Sequence, residues 1–432
     1  MKSKYKPYPS YKESGVEWLG EIPEGWEARR LKTILEERKE KNNPIKTEYI
    51  LSLCMYRGVI PYSEKGNSGN KAKDDLTAYK LAYPNDIVVN SMNVVAGSVG
   101  LSKYFGAVSP VYYMLHPRKS SDNIFYYNAI FQSESFQKSL IGLGNGILVK
   151  QSEKTGKLNT IRMKISMESL NNVLLPIPPL QEQKAIATYL DRATQKIDTL
   201  INKQNRLITL LKEKRQALIS HAVTKGVDGN GKLRIENGEF KDSGVEWLGK
   251  IPRWWKVKKF KYIAKIQGGK DQKSVLDNKS KYPIYGSGGI FGYANQFLYN
   301  GESVLLGRKG TIDKPLYVND KFWTVDTMYY TIPKKNTIVK WFYYVSTTIN
   351  FDFYQYGSAV PSMTQEDLHN IYFATPPKEE QKAIATYLDQ KTQAIDTLID
   401  KATKSIELLK EKRTALISAV VTGKVDVRDI HD

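Results

Sequence analysis

The residues best suited to chemistry in this chain are cations and amides gathered in polar loops. One run offers Arg57, Lys65, Asn67, Asn70, Lys71 and Lys73, followed by Asn90, Ser91 and Asn93. A second offers Lys270, Gln272 and Lys273, then Tyr285 and Ser287 in a glycine-rich turn, then Arg308 and Lys309. Lysine and arginine neutralise phosphates, while arginine, asparagine and glutamine make paired hydrogen bonds to base edges. Tyrosines among them can pack on sugars or bases. Each residue alone reads as a solvated surface group. Only the set, on loops of a basic chain, points to nucleic-acid recognition.

Signatures of catalysis fail on inspection. GVDGNGKL (226–233) matches the G-x-x-x-x-G-K part of a phosphate loop. It lacks the following Ser/Thr and follows a helix end where that loop follows a strand, so it reads as a connector. GSGGIFG (286–292) does not fit G-x-G-x-x-G and opens no helix, so it reads as a β-turn. We find no Asp/Asn-Pro-Pro-aromatic motif of amino-methyltransferases, no helicase set, no nuclease carboxylate cluster and no Ser-His-carboxylate arrangement. The chain is expected to bind and not to catalyse.

Composition sets the partner class. The 432 residues carry 65 Lys+Arg against 45 Asp+Glu, a net +20. Three quarters of that excess lies in 28–177 and 257–375, which favours a polyanion. The single cysteine, Cys54, excludes an internal disulfide framework and fits a reducing compartment. His116, His221, His369 and His431 lack Cys/His spacing, so no structural zinc is expected. The opening residues have no apolar core, and no run approaches the ~20 apolar residues of a membrane span. The expectation is a cytoplasmic protein with no membrane partner.

What must position the loops is a repeat. YKESGVEWLGEIPEGWE (11–27) returns as FKDSGVEWLGKIPRWWK (240–256), and the block 183–220 returns at 381–418, an offset of 198. In the second pair 28 of 38 positions are identical, whereas the segments between share little. Constant frames around unlike inserts suggest one task done twice on different targets. The implied layout is a framework segment 1–27, a variable domain 28–177, a helix 178–226, a linker and framework 227–256, a variable domain 257–375 and a helix 376–432.

Each repeated block is bounded by a proline pair (Pro178-Pro179, Pro376-Pro377) and a glycine (Gly226, Gly423). Leu190, Ile197, Leu211 and Leu218 fall in one heptad register, with Leu200 and Leu207 in another. Leu388, Ile395, Leu409, Leu416 and Leu398 repeat the pattern, which predicts coiled-coil or bundle packing. Gln204, Lys214, Ser405 and Lys412 interrupt a strict two-stranded seam. Each helix is expected to run roughly 55–60 Å, the two packing on each other with face left for a partner. The inserts read as β-rich runs at 49–62, 86–101 and 107–115, and at 281–299, 303–318 and 324–332. Helices are expected at 124–140 and 339–354. This is two copies of one α+β domain.

SGVEWLGEIPEGW (14–26) and SGVEWLGKIPRWW (243–255), with PPLQEQKAIATYLD (178–191) and PPKEEQKAIATYLD (376–389), resemble the specificity subunit of a type I restriction-modification system. DIVVNSM (86–92), SPVYYML (109–115), PIYGSGGIFGY (283–293) and LLGRKG (305–310) resemble target-recognition sequences. The resemblance covers nearly the whole length. It implies two mixed α/β target-recognition domains separated by two long helices forming an antiparallel, pseudo-twofold coiled coil. Each domain would read one half of a bipartite, asymmetric site in double-stranded DNA. The helices would dock two modification subunits carrying S-adenosylmethionine, with restriction subunits adding ATP- and Mg2+-dependent translocation and cleavage. No cofactor is implied for this chain. A protein-interaction scaffold and a stand-alone methyltransferase are the alternatives, and charge alone does not separate DNA from RNA.

Overall fold

The computed structural model describes residues 6–54, 57–66, 71–146, 150–151, 158–159, 163–236, 239–354, 361–428 and 430. It comprises two compact units, one of residues 1–204 with 405–432 and one of residues 205–404. Leu180–Lys225 and Lys378–Val421 are continuous helices of 46 and 44 residues. At 1.5 Å per residue they run about 69 and 66 Å. They exceed the expected length because the helix fills the whole interval between prolines and glycines, beyond the repeated block. The Pro179 carbonyl accepts from Glu182 and Gln183 at 2.9 Å, and that of Pro377 from Gln381 at 3.0 Å. Gly226 and Gly423 end the helices with φ of +84° and +74°, where a side chain is disfavoured.

Within each unit the two helices run antiparallel. In the first, Leu190 and Ile197 share a core with Leu416, Ile417, Val420 and Val421, and Asp198 accepts from Arg413 at 3.1 Å. In the second, Ile219, Ala222 and Val223 share a core with Ile384, Ala385 and Leu388. There Arg215 donates to both oxygens of Asp396, at 2.9 and 3.3 Å. Leu211 and Ile395 are also buried, and Leu218 and Leu409 pack half-buried against the cores. The second register behaves differently. Leu200, Leu207 and Leu398 are 46%, 44% and 50% exposed. One stripe closes the helix pair, and these leucines face outward.

The variable domains share a topology that their sequences conceal. The first holds strands Leu35–Arg38, Tyr112–Pro117, Ile87–Asn90 and Val99–Leu101, in that spatial order. The second holds Ala264–Gly268, Met328–Pro333, Tyr299–Gly307 and Leu316–Thr324 in the equivalent order. Its hairpin Tyr282–Gly286/Gly289–Ala294 extends the sheet to six strands, Ile284 and Tyr285 pairing parallel with Trp323 and Thr324. In the first domain the corresponding hairpin, Leu51–Cys54/Gly58–Pro61, forms a separate sheet. It packs so closely on the neighbouring strand that a Cβ on Gly100 would lie 2.6 Å from Gly58 Cα. The α+β reading therefore holds, with the hairpins docked differently.

The insert helices are shorter than the apolar runs suggested. The first breaks at Ser133, whose hydroxyl accepts from Phe136 N and starts a new helix, Glu134–Ser139, after Ile124–Gln132. The second ends at Ser346 in Val339–Ser346, with a short 3-10 turn, Phe351–Tyr354, beyond it. Thr347 and Thr348 hydroxyls turn back to the Tyr344 and Val345 carbonyls at 2.7 Å, competing with helix continuation.

The repeated motifs meet at a joint. Glu182 accepts from the Trp26 indole at 2.9 Å and from the Tyr8 hydroxyl. Glu380 accepts from both Trp254 and Trp255 indoles at 3.0 Å and from Arg234. The adjacent glutamines turn the other way. Gln183 accepts from Asn123 N at 3.2 Å, and Gln381 from Ile338 N at 2.9 Å, each at the start of an insert helix. The Glu-Gln pair thus grips the constant frame with one residue and the variable domain with the next. Short strands complete the frame: Glu27–Arg30 pairs with Leu174–Ile177, and Lys256–Lys259 with Tyr372–Thr375.

Candidate nucleic-acid interface

In the second unit the proposed reading residues converge on one end of the sheet. Gly307 pairs with Met328, and Gly268 with Tyr329, so the chain leaves both strands at the same edge. Arg308 N donates to Thr327 O at 2.9 Å, and the Arg308 carbonyl accepts from Met363 N at 3.0 Å. Gly310 N donates to Pro361 O at 3.0 Å. This backbone pinning holds Arg308 and Lys309 exposed. The Arg308 guanidinium has one long contact, 3.4 Å to Asp326 O, and Lys309 makes no ion pair among the described residues.

Lys270 reaches the same edge because its N–H donates to Thr324 O at 2.9 Å, while its carbonyl accepts from the Trp323 indole at 3.0 Å. Gly269 lies so near Val325 O that no Cβ fits there. Tyr285 O accepts from Val325 N at 3.1 Å. Burial of its ring pushes the Tyr285 phenol above its usual range. Ser287 and Gly288 form the turn of the hairpin. Ser287 Oγ sits 2.9 Å from where a Gly310 Cβ would be, so turn and Arg308 loop touch. Gln272 is half-buried in the turn after Lys270, and Lys273 leans on Asp271 at 3.8 Å. The hairpin also exposes an apolar tip, Ile290 and Phe291, which the sequence does not reveal because apolar residues beside a turn pattern like buried strand.

The first unit is less open. Arg57 donates to the Glu64 carboxylate at 3.2 Å and to the Glu64 carbonyl at 3.1 Å, so it is not a free reader. Lys65 lies over the Tyr62 ring at 5.1 Å, and Tyr62 OH accepts from Ala72 N at 2.9 Å. Lys65 thus packs on Tyr62, while Lys73 N donates to a second tyrosine, Tyr79, at 3.1 Å. Asn67 and Asn70 lie outside the described residues. Asn90 spends its side-chain oxygen on Met92 N at 3.0 Å, and Asn93 opens the 3-10 turn Val94–Ala96. Asn90 folds this loop with its side chain, and Asn93 with its backbone carbonyl, which accepts from Ala96 N and Ser98 N at 3.0 and 3.1 Å.

Among the described residues no His/Cys/Asp/Glu group could hold a metal ion, and no helix is long and apolar enough to cross a membrane. The profile of the type I restriction modification DNA specificity domain matches residues 23–210 and 252–408. The chain belongs to that family. As a specificity subunit it is a non-catalytic member of a type I restriction-modification system. It is 26% identical over 400 residues to a protein described as the type I restriction enzyme MjaX specificity subunit of Methanocaldococcus jannaschii, covering 86% of this chain and 87% of that one. The MjaVIII specificity subunit of the same organism is 27% identical over 58% of this chain and 51% of its own length. A solved chain from a study of type I R-M complex assembly shares the fold, with a TM-score of 0.69 at 15% identity over 94% of this chain and 99% of that one. The specificity subunit also leaves apolar side chains uncovered on its helices. Leu210 and Leu408, one repeat apart, are 52% and 56% exposed, like Leu200 and Leu398.

Proposed function

We propose that each variable domain, 28–177 and 257–375, reads one half of a bipartite, asymmetric site in double-stranded DNA, and that the long helices dock two modification subunits. The observation that carries this reading is the convergence of Lys270, Tyr285, Ser287, Arg308 and Lys309 at one sheet edge, with Lys309 unanswered by any acid among the described residues. That arrangement suits a groove: cations for phosphates, and an arginine in a rigid loop for a guanine edge. The docking half is supported by the outward leucines Leu200, Leu210, Leu398 and Leu408, which recur in both helices. S-adenosylmethionine would be held by the modification subunits, and ATP and Mg2+ by restriction subunits where present.

The test is to map methylated adenines in cells carrying this chain with its modification partner. The expected pattern is one discontinuous, non-palindromic motif that disappears when this chain is removed. A continuous or palindromic motif would refute the division of labour. Lengthening both long helices equally should change the spacer and leave both half-sites intact.

A further inference from the structure

We propose that Lys258, Lys261, Lys334 and Lys335 form a clamp for the phosphate backbone of duplex DNA, separate from the loops that read bases. This rests on the DNA-reading role above and adds a sequence-independent contact to it. The four lysines line a cavity of about 690 Å³ together with Tyr262, Asn336 and Thr337, and no carboxylate is among its lining residues. None of the four makes an ion pair among the described residues. Nearby Lys340, by contrast, is answered by Asp389 at 3.1 Å.

The cluster is built rather than incidental. The turn that carries Lys334 and Lys335 is fixed by Lys334 N and Thr337 Oγ1, which both donate to Ile263 O, at 2.9 and 2.8 Å. Gln381 of the helix joint holds the Asn336 carbonyl at 3.2 Å. The backbone that carries the lysines is therefore fixed before any ligand arrives, and an anion entering the cavity meets cations with no competing carboxylate in its lining. The first unit repeats the arrangement. Arg118 N donates to Ile34 O at 2.8 Å, the counterpart of the Lys334 bond, and Arg29, Lys32, Arg118 and Lys119 take the matching positions. There Glu27 and Glu36 answer Arg29 and Arg118, at 3.3 and 3.2 Å. The stronger clamp is thus in the second unit.

The occupant follows from position. Strand Met328–Pro333 has its first end beside Arg308 and its last beside Lys334. Its six residues span about 20 Å, close to the rise of about six base pairs. A duplex lying along that strand would present bases at one end and flanking phosphates at the other.

The test uses the full chain assembled with its modification subunits, a duplex bearing the mapped target and a scrambled duplex, each titrated at several salt concentrations. Changing all four lysines to glutamine is expected to weaken both duplexes about equally, tenfold or more at low salt. The slope of log affinity against log salt should fall by about 2 to 4, at about 0.9 per phosphate contact. Arginine at the same four positions should restore binding, and the methylated motif should not change. Unaltered affinity and slope in the glutamine variant, with the parent complex binding normally, would overturn the clamp. So would selective loss of the target duplex, or loss of subunit assembly, which would assign the lysines to an acidic protein surface. A parent complex that binds neither duplex would instead defeat the DNA-reading role itself.

Discussion

Arg215 grips Asp396 in the second unit, and Arg413 grips Asp198 in the first, the same contact displaced by one repeat of 198 residues. Two sequence copies thus make two equivalent helix crossings, each using one residue from either helix. Partners a fifth to a half exposed are screened by solvent. Replacing either arginine with alanine is therefore expected to cost only about 0.5–1 kcal/mol. Because the pairs lie in different units, the two losses should add. Denaturant titration of single and double variants checks this, and the exchange of Asp198 and Arg413 should recover most of the loss.

The glutamates at the joint matter far more. Glu380→Ala strands the Trp255 indole N–H and the partly buried Arg234 guanidinium, while the exposed Trp254 indole can turn to water. The expected loss is about 1–3 kcal/mol, read from the denaturation midpoint with a shift in tryptophan fluorescence. A midpoint within error of the parent would remove the joint from the account.

Gly423→Ala should destabilise the first unit by more than about 1 kcal/mol. Its φ is +74°, and an added Cβ would collide with Pro23. Gly25, with no atom within 4 Å of an added Cβ and no positive φ, is the control. Gly25→Ala should fall within about 0.5 kcal/mol of the parent. Equal melting temperatures for the two variants would contradict the packing described.

Arg308→Ala is expected to relax one half of the methylated motif while the other stays intact. Arg57→Ala should do much less, since Glu64 already holds that guanidinium. Motif mapping by base-resolved methylation separates these outcomes. Erosion of both half-sites by Arg308→Ala would mean a general role in folding or phosphate contact.

Stability should also decline above about pH 10. Burial raises the phenols of Tyr8, Tyr126 and Tyr127 in the first unit, and of Tyr317 and Tyr344 in the second. A raised folded value means the contribution is whole below the unfolded pKa and is lost as pH rises toward the folded one. Tyr8→Phe should flatten that alkaline decline, which thermal melts between neutral pH and pH 11 can show.

The helices, their ends and the repeated frame were readable because prolines, glycines and heptads act locally. The exposed register of Leu200 and Leu398 was not, since spacing names a stripe without saying which stripe meets a partner. The insert helices were overextended because apolar composition hides a hydroxyl such as that of Ser133. At the interface, Arg308 was visible as a loop cation. Whether Arg57 was free depended on Glu64, seven residues on and indistinguishable from any surface acid. The lysine cluster is not legible in the sequence because strand pairing joins residues more than seventy positions apart.

The first unit is assembled from residues 1–204 and 405–432, and that division carries a consequence for synthesis. All of residues 205–404 leave the ribosome before the segment that covers Leu190, Ile197 and Trp26. The second unit can therefore fold during translation, whereas the first waits with an apolar helix face open. Its completion follows that of the second unit, and termination before residue 405 would release a chain with one finished unit and one adhesive one.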